Sequence, residues 1–387
     1  MQLTGRVVKS GLGASGAALL LALCGCAGFF VPQNNNGSTT TTNNTGDYVY
    51  VANANPSSAS VGAFSVSSTG TLTTLSGSPY SLTFIPTALA VSPNNSYLFV
   101  GGTTGLYIYS IASNGALTLL SNAGASIPVA SIAISPDGNY LFVLQSNVIT
   151  GTNTSPTSYS VTVDEYSIAS TGTLTLVATP AYTTTSGTFT PQQILVSPNG
   201  GYVMAALGSV GDIVFTLSSG TLSNTVQVIS LSTLSSDNAL AFDSTSTHVY
   251  VARSGVSGGL VDYSVASGGV LAQVGTTLGP TGNQPVSVVL DSTGSYAYVA
   301  NRGDGTITAL SISSSAAPTA LSGPFASGTN PLALGLDNSH KYVLAVSSGG
   351  SPDLEVYSVG SSGALTSTAT STTGSDPTLA TAIALTH

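Results

Sequence analysis

The sequence predicts an all-β chain, a seven-bladed β-propeller with four-stranded blades whose ring is closed by the C-terminal strand pairing with the N-terminal blade. Three observations carry this expectation. A Pro, an apolar run ending in Ser or Asp, a turn, an aromatic-rich run and an alternating strand before Gly-x-Leu recur along the chain. The clearest copies are PTALAVSPNNSYLFV from Pro86, ASIAISPDGNYLFV from Ala130, PVSVVLDSTGSYAYVAN from Pro285 and PLALGLDNSHKYVLAV from Pro331. The aromatic position is then filled seven times, by Tyr48, Tyr97, Tyr140, Tyr202, His248, Tyr296 and Tyr342, in the 341 residues from Asp47 to His387. That is a repeat of about 49 residues, the length of a propeller blade. The first unit opens at YVYVAN (Tyr48 to Asn53) with no Pro-led strand before it, whereas the chain ends on such a strand, PTLATAIALTH from Pro377. Pairing the two leaves no open sheet edge in that blade.

Within a repeat, four short runs of β-branched and aromatic residues alternate with turn residues, which reads as four strands. In the Pro86 unit they are Ala88 to Ser92, Tyr97 to Gly101, Leu106 to Ile111 and Ala116 to Leu120. Pro93-Asn94-Asn95 and Pro136-Asp137-Gly138 have the chemistry of tight turns, so Asp137, and likewise Asp291 in Asp291-Ser292-Thr293-Gly294, reads as a turn former and not as a metal ligand. Register is equally regular: a Pro stands eleven residues before a Tyr at Pro86 and Tyr97, Pro191 and Tyr202, Pro285 and Tyr296, and Pro331 and Tyr342.

Of 387 residues 42% are hydrophobic and 5% charged, the opposite of a disordered composition. Fourteen acidic residues against five basic ones give a formal charge of −9, and only Arg253, Arg302 and Lys341 are basic beyond residue 9. No cluster of cations is available to neutralise phosphates, so nucleic acid is not an expected partner, nor is an anionic membrane surface. No His or Cys cluster has metal-ligand spacing, and no Trp is present to stack on a quinone, so neither a metal nor another cofactor is expected.

The chain begins as an export signal. Arg6 and Lys9 precede an apolar stretch from Gly11 to Leu23, too short to span a bilayer as a helix. The following Leu23-Cys24-Gly25-Cys26 resembles a bacterial lipobox, and its two cysteines are the only ones in the chain. The expected organisation is a signal peptide over 1–25, a lipidated Cys26 with an Asn/Thr-rich tether over 26–46, and the propeller over 47–387. Several acyl chains on Cys26 would hold the protein to a membrane. By the same resemblance Ala27, where an inner-membrane retention signal would carry Asp, directs it to the outer membrane of the cell envelope.

In a propeller, the loops from second to third strand and from the outermost strand into the next blade share one face around the channel mouth. On or near that face the sequence places Asn53, Gln145, Asp212, Asn238, Arg253, Asn283, Gln284, Asn301, Arg302, Asp304 and Asn330. A ring of amides with few charges suits a neutral polar ligand, a glycan or a protein segment. Arg253 and Arg302 follow second strands of neighbouring blades and are the candidates for a catalytic cation. Excess length in the third unit falls in Ser146 to Ser160 and is expected to rise over the same face. His248 occupies the aromatic packing position, His340 lies in a turn on the opposite face, and His387 is the last residue.

YVYVAN at Tyr48, VYVAR at Val249 and YAYVAN at Tyr296 resemble the YVTN-type propeller repeat of prokaryotic surface proteins. With GxLT at Gly70, Gly115, Gly172 and Gly363, nearly all of Asp47 to His387 resembles the seven-bladed lactonase family, which includes 6-phosphogluconolactonase and a carboxymuconate-lactonizing enzyme. The resemblance implies a Gly-Pro-Arg-His run before an innermost strand and an acidic residue after the YVxN strand. Here Val286 and Ser287 follow Pro285, and Arg302 follows Asn301. The departures lead to an expectation of a binding or interaction propeller, with a lactonase of non-standard site as the alternative.

Overall fold

The computed structural model describes residues 47–122, 128–151, 157–184, 187–231, 234–349, 352–371 and 379–387. The expected export signal, lipidated Cys26 and tether fall in residues 1–46 and lie outside the described residues. Among the described residues the chain folds into seven antiparallel sheets arranged as blades, each built on four strands from the channel outward, with short extra strands added in blades 1, 3 and 6.

Blade 1 takes Ala380–Leu385 as its innermost strand, followed by Asp47–Asn53, Ser60–Val66 and Leu72–Thr74. Blade 2 runs Pro86–Val91, Tyr97–Gly102, Gly105–Ile111, Leu117–Asn122, and blade 3 runs Val129–Ile134, Tyr140–Gln145, Ser158–Ile168, Leu174–Ala178. Blade 4 is Gln193–Val196, Tyr202–Ala206, Asp212–Ser218, Thr221–Ile229, and blade 5 is Ser235–Phe242, His248–Gly255, Gly259–Val265, Leu271–Gln273. Blade 6 is Pro285–Leu290, Tyr296–Asn301, Thr306–Ser313, Ala316–Ala320, and blade 7 is Thr329–Leu336, Tyr342–Gly349, Leu354–Val359, Leu365–Ser371. The ring closes as the sequence predicts: Val49 pairs with Leu385, Tyr50 with Ala384, Val51 with Ile383 and Ala52 with Ala382.

Alternation along each second strand sends successive side chains into the two neighbouring blades. Tyr250 and Ala252 pack on Val288, Ala297 and Val299 of blade 6, while Val249 and Val251 pack on Met204, Ala206 and Val214 of blade 4. The core is therefore a set of apolar layers between blades.

The recurrent Tyr and Gly form a clasp between blades. Each Tyr begins a second strand and lies against the turn that joins third and fourth strands in the next blade. Gly115 has φ 78°, and a Cβ there would sit 2.5 Å from the Tyr48 ring. Tyr48, Tyr97, Tyr296 and Tyr342 then donate their hydroxyls to the carbonyls of Ser113, Ser170, Ser361 and Ser68. Between blades 5 and 6 both halves of the clasp are replaced together. His248 stands for Tyr, and the turn at Ser313 to Ala316 has no glycine. His248 is buried and turns to its own blade, with Nδ1 2.8 Å from Asp262 Oδ1.

Nearer the channel, single side chains stitch successive innermost strands. Thr87 donates to the Val129 carbonyl (2.7 Å), Ser131 accepts from Ile194 N–H (3.1 Å), and Gln193 accepts from Leu240 N–H (2.6 Å). Asn238 donates to the Pro285 carbonyl (2.8 Å), and Ser287 accepts from Leu334 N–H (3.0 Å). The expected turn formers behave as such: Asp137 accepts from Asn139 N–H, and Asp291 accepts from the N–H groups of Ser295 and Tyr296.

The channel holds a cavity of about 320 Å³, lined mostly by apolar side chains including Leu195, Val289, Leu334 and Ile383. His387 sits at its lower end, where its N–H donates to Asn95 Oδ1 (3.0 Å). Burial, with His340 nearby, pushes the His387 imidazole down to about 3, so it is neutral at physiological pH.

Asp47 fastens the entry of the chain to blade 7 by accepting the Asn338 N–H. Burial outweighs that bond and, with Asp337 adding repulsion, lifts the Asp47 carboxyl to about 7. A carboxyl with a folded pKa above its unfolded value of 3.8 stabilises the fold fully below pH 4, and that contribution is lost as pH rises through 7. Asp47→Asn is therefore expected to match the wild type in thermal midpoint near pH 4 and exceed it at pH 8. The difference is on the order of 4 kcal/mol at most, and melting curves across this pH range check it.

Candidate functional site

The loops from second to third strand, and those leading into each innermost strand, gather on the face opposite Asp47 and His387. All eleven polar residues assigned to this mouth lie at its strand ends, but they separate sharply by exposure. Asn53, Asp212 and Asn301 are fully buried, and Arg253 is nearly so; Gln145, Asn238 and Asn330 are half-buried; Asn283, Gln284, Arg302 and Asp304 are exposed.

The buried members are held by protein partners or face inward between blades. Asn301 accepts from Gly282 N–H (3.0 Å) and donates to the hydroxyls of Thr306 (3.1 Å) and Thr308 (2.8 Å). Asn53 shares the inward alternation of Val49 and Val51, which pack against blade 7, and finds no partner for either amide atom among the described residues. Half-buried Gln145 donates to Asp164 (2.9 Å), and Asn238, besides stitching blades 5 and 6, donates to Ser254 (3.0 Å).

Arg253 follows the inward alternation of Val249 and Val251 toward blade 4. Its Nε and Nη2 donate to the two carboxylate oxygens of Asp237 at 2.6 and 2.8 Å, and Nη2 also reaches the Tyr263 hydroxyl at 3.1 Å. Burial works against the guanidinium charge, but Asp237 and Tyr263 outweigh it and raise its pKa. So committed, Arg253 is not offered to a ligand at the surface. Asp212 of blade 4 joins this group, its carboxyl pushed well above the usual range by burial and then by the neighbouring Asp237, against the opposing pull of Arg253. Asp237 and Tyr263 were not readable as site residues from the sequence. The available signal was position, since Asp237 lies across the ladder from Arg253.

The exposed members form one patch on blade 6. Asn283, Gln284 and Pro285 lead into its innermost strand, and Asn301 to Gly305 turn from its second strand to its third. The two loops are tied: Arg302 N–H donates to Gln284 O (2.9 Å), Gly303 N–H to Asn283 O (3.0 Å), and Asn283 N–H to the Asp304 carboxylate. Gln284, at φ 53°, holds the left-handed turn into Pro285. The Arg302 side chain is exposed beside this braced turn, with the Asp304 carboxylate two residues on. A guanidinium and a carboxylate presented by a fixed backbone can bind a polar neutral molecule, or polarise a carbonyl while accepting a proton from water.

The insertion at Ser146 to Ser160 is built, in its described part, as sheet. Ile149–Gly151 and Ala181–Thr184 pair on either side of the extended start of the third strand of blade 3, with Ile149 opposite Ser160 and Tyr159 opposite Thr184. Tyr159 and Tyr182 anchor this arm on the core between blades 3 and 4. Residues 152–156 of the insertion lie outside the described residues. No group of three or more His, Cys, Asp or Glu gathers as metal ligands among the described residues.

Residues 208–327 and 279–382 match the family model described as lactonase, seven-bladed β-propeller. No curated protein matches the sequence. Among solved structures the fold is similar to a Bacteroides fragilis protein assigned provisionally as a 6-phosphogluconolactonase, with a TM-score of 0.73 and 15% identity over 90% of this chain and 100% of that one. A periplasmic gluconolactonase of Pseudomonas aeruginosa is similar with a TM-score of 0.71 and 18% identity, over 88% of this chain and 99% of its own. A Bacteroides uniformis protein with the same provisional 6-phosphogluconolactonase assignment gives a TM-score of 0.69 and 18% identity over the same shares.

Proposed function

Since residues 208–382 match the family model of lactonase seven-bladed β-propellers, we propose that the chain is a member of that family and an exported hydrolase of uncharged sugar lactones, acting at the blade 6 patch of the channel mouth. The observation that carries this reading is the coincidence of the family match with the exposed charges. The matched residues contain Arg302 and Asp304 as well as the Arg253 network beneath the same rim.

In this reaction the Asp304 carboxylate takes a proton from water as its oxygen adds to the lactone carbonyl, and Arg302 faces the oxyanion that develops. The ring C–O bond then breaks, and the proton passes to the departing ring oxygen as it becomes a hydroxyl. Asn283 and Gln284 supply hydrogen bonds to substrate hydroxyls. A phosphorylated sugar is disfavoured because Arg253 is engaged with Asp237 and Lys341 is on the opposite face, which leaves, among the described residues, one exposed guanidinium for a dianion. Export agrees with the N-terminal signal and with the periplasmic gluconolactonase of similar fold, and a lipid on Cys26 would fix the site at the envelope.

Protein lacking residues 1–26 is expected to open glucono-δ-lactone faster than buffer and faster than its 6-phosphate, followed by acid release at constant pH. Arg302→Ala should lower kcat/KM about 10- to 100-fold, the worth of one charge-assisted hydrogen bond. A rate equal to buffer on both lactones would overturn the reading. It would favour a second one, a surface that binds a glycan or a protein, for which the absence of Arg and His at Val286 and Ser287 already speaks.

A further inference from the structure

The Asp212, Asp237 and Arg253 group is a seam between two blades. Asp212 opens the third strand of blade 4, and Asp237, Arg253 and Tyr263 come from the first, second and third strands of blade 5. Those four are the charged or titratable groups that meet there: Asp237 and Arg253 pair directly, Tyr263 bonds to Arg253, and Asp212 feels both Asp237 and Arg253. Asp212 and Asp237 are 0% exposed and Arg253 is 8% exposed.

The backbone seals the group from water. Gly208 and Asp237 form an isolated bridge across the two blades, with Asp237 N–H donating to Gly208 O at 3.2 Å. Beside it the backbone of each blade is tightly packed: a Cβ on Gly211 would lie 1.7 Å from Ile229 O in blade 4, and one on Gly255 1.9 Å from Leu234 O in blade 5.

Charge and hydrogen-bond accounting decide the protonation state. One guanidinium faces two carboxyl groups, and both its directed bonds to carboxylate go to Asp237. Neither Asp212 oxygen receives a hydrogen bond from any described donor. A buried carboxylate with no donor is strongly disfavoured, whereas a carboxylic acid beside a carboxylate can donate to it. We infer that Asp212 and Asp237 share one proton beneath Arg253, and that this acid–carboxylate pair is an alkali-sensitive latch between blades 4 and 5 at the channel mouth. When the proton leaves, two negative charges adjoin one cation in a dry seam, and the Gly208 to Asp237 bridge is the contact that yields. The inference stands apart from the catalytic reading, since none of its residues reaches the surface patch.

The test compares the wild type with Asp212→Asn and Asp237→Asn, by thermal unfolding between pH 6 and 10 and by infrared difference spectroscopy at pH 8, above the Asp47 titration. Asn at 212 keeps a donor toward Asp237, so that variant should unfold within about 3 °C of the wild type at pH 6 and lose less stability as pH rises. Its difference spectrum should show loss of one un-ionised carboxylic-acid carbonyl stretch. Asp237→Asn leaves Arg253 without its carboxylate and should unfold roughly 10 °C lower at every pH. An Asp212→Asn variant that falls as far as Asp237→Asn, or that removes no acid band, would overturn the inference. Equal pH dependence in Asp212→Asn and wild type would do the same.

Discussion

Removal of residues 380–387 is expected to abolish the folded monomer. Among the described residues blade 1 has no other innermost strand, and the truncated chain would present Val49 to Asn53 as an open edge facing the channel. The loss combines the ladder along Val49 to Asn53 with the buried side chains of Ala380, Ala384 and Leu385 and the packing of Ile383 on the core between blades 1 and 7. Backbone bonds contribute about 1 kcal/mol each, and burial of a large aliphatic side chain about 2. The sum is on the order of 10 kcal/mol, comparable with the whole stability of a typical domain. Expression of the truncated chain should place it in the aggregated fraction, whereas the full chain elutes as a folded species in size-exclusion chromatography. A truncated protein with the wild-type elution volume and melting midpoint would show that the ring does not need its closing strand.

Arg253→Ala is expected to be the most damaging single substitution at the mouth. It strands the Asp237 carboxylate and the Asp212 carboxyl in a sealed seam and removes the bidentate pair at 2.6 and 2.8 Å. Breaking a buried ion pair from one side costs about 3–5 kcal/mol, because the remaining charge keeps its desolvation penalty. Arg253→Lys should recover only part of this, since an ammonium cannot reproduce the planar two-point contact. Denaturant midpoints of the three proteins measure the effect, and an Arg253→Ala midpoint within experimental error of the wild type would refute the structural role. The exposed Arg302 gives the contrast: Arg302→Ala should leave the same midpoint within about 0.5 kcal/mol of the wild type.

The blade count was legible because the Tyr position repeats in phase with a turn that carries its own chemistry. Even the exception was informative, since His248 replaces Tyr in the one blade whose following neighbour lacks the turn glycine. Topology also placed the eleven polar residues at the right end of their strands. What the sequence did not carry was which of them meet solvent. Asn301 and Arg302 are neighbours, yet strand alternation buries the amide between blades while the turn releases the guanidinium. At 237 and 238 a bulge decides the outcome: the register shift between Asp237 and Ala239 sends the carboxylate to Arg253 and leaves the amide for Pro285. Such a shift depends on backbone pairing across the sheet, which single-residue spacing does not record.

The first described strand enters and the last one leaves on a common rim, beside Asn338 and Asn95 respectively. Anything coupled ahead of Asp47 therefore suspends the propeller from behind, and the Arg302 patch looks away from the point of suspension toward whatever diffuses past.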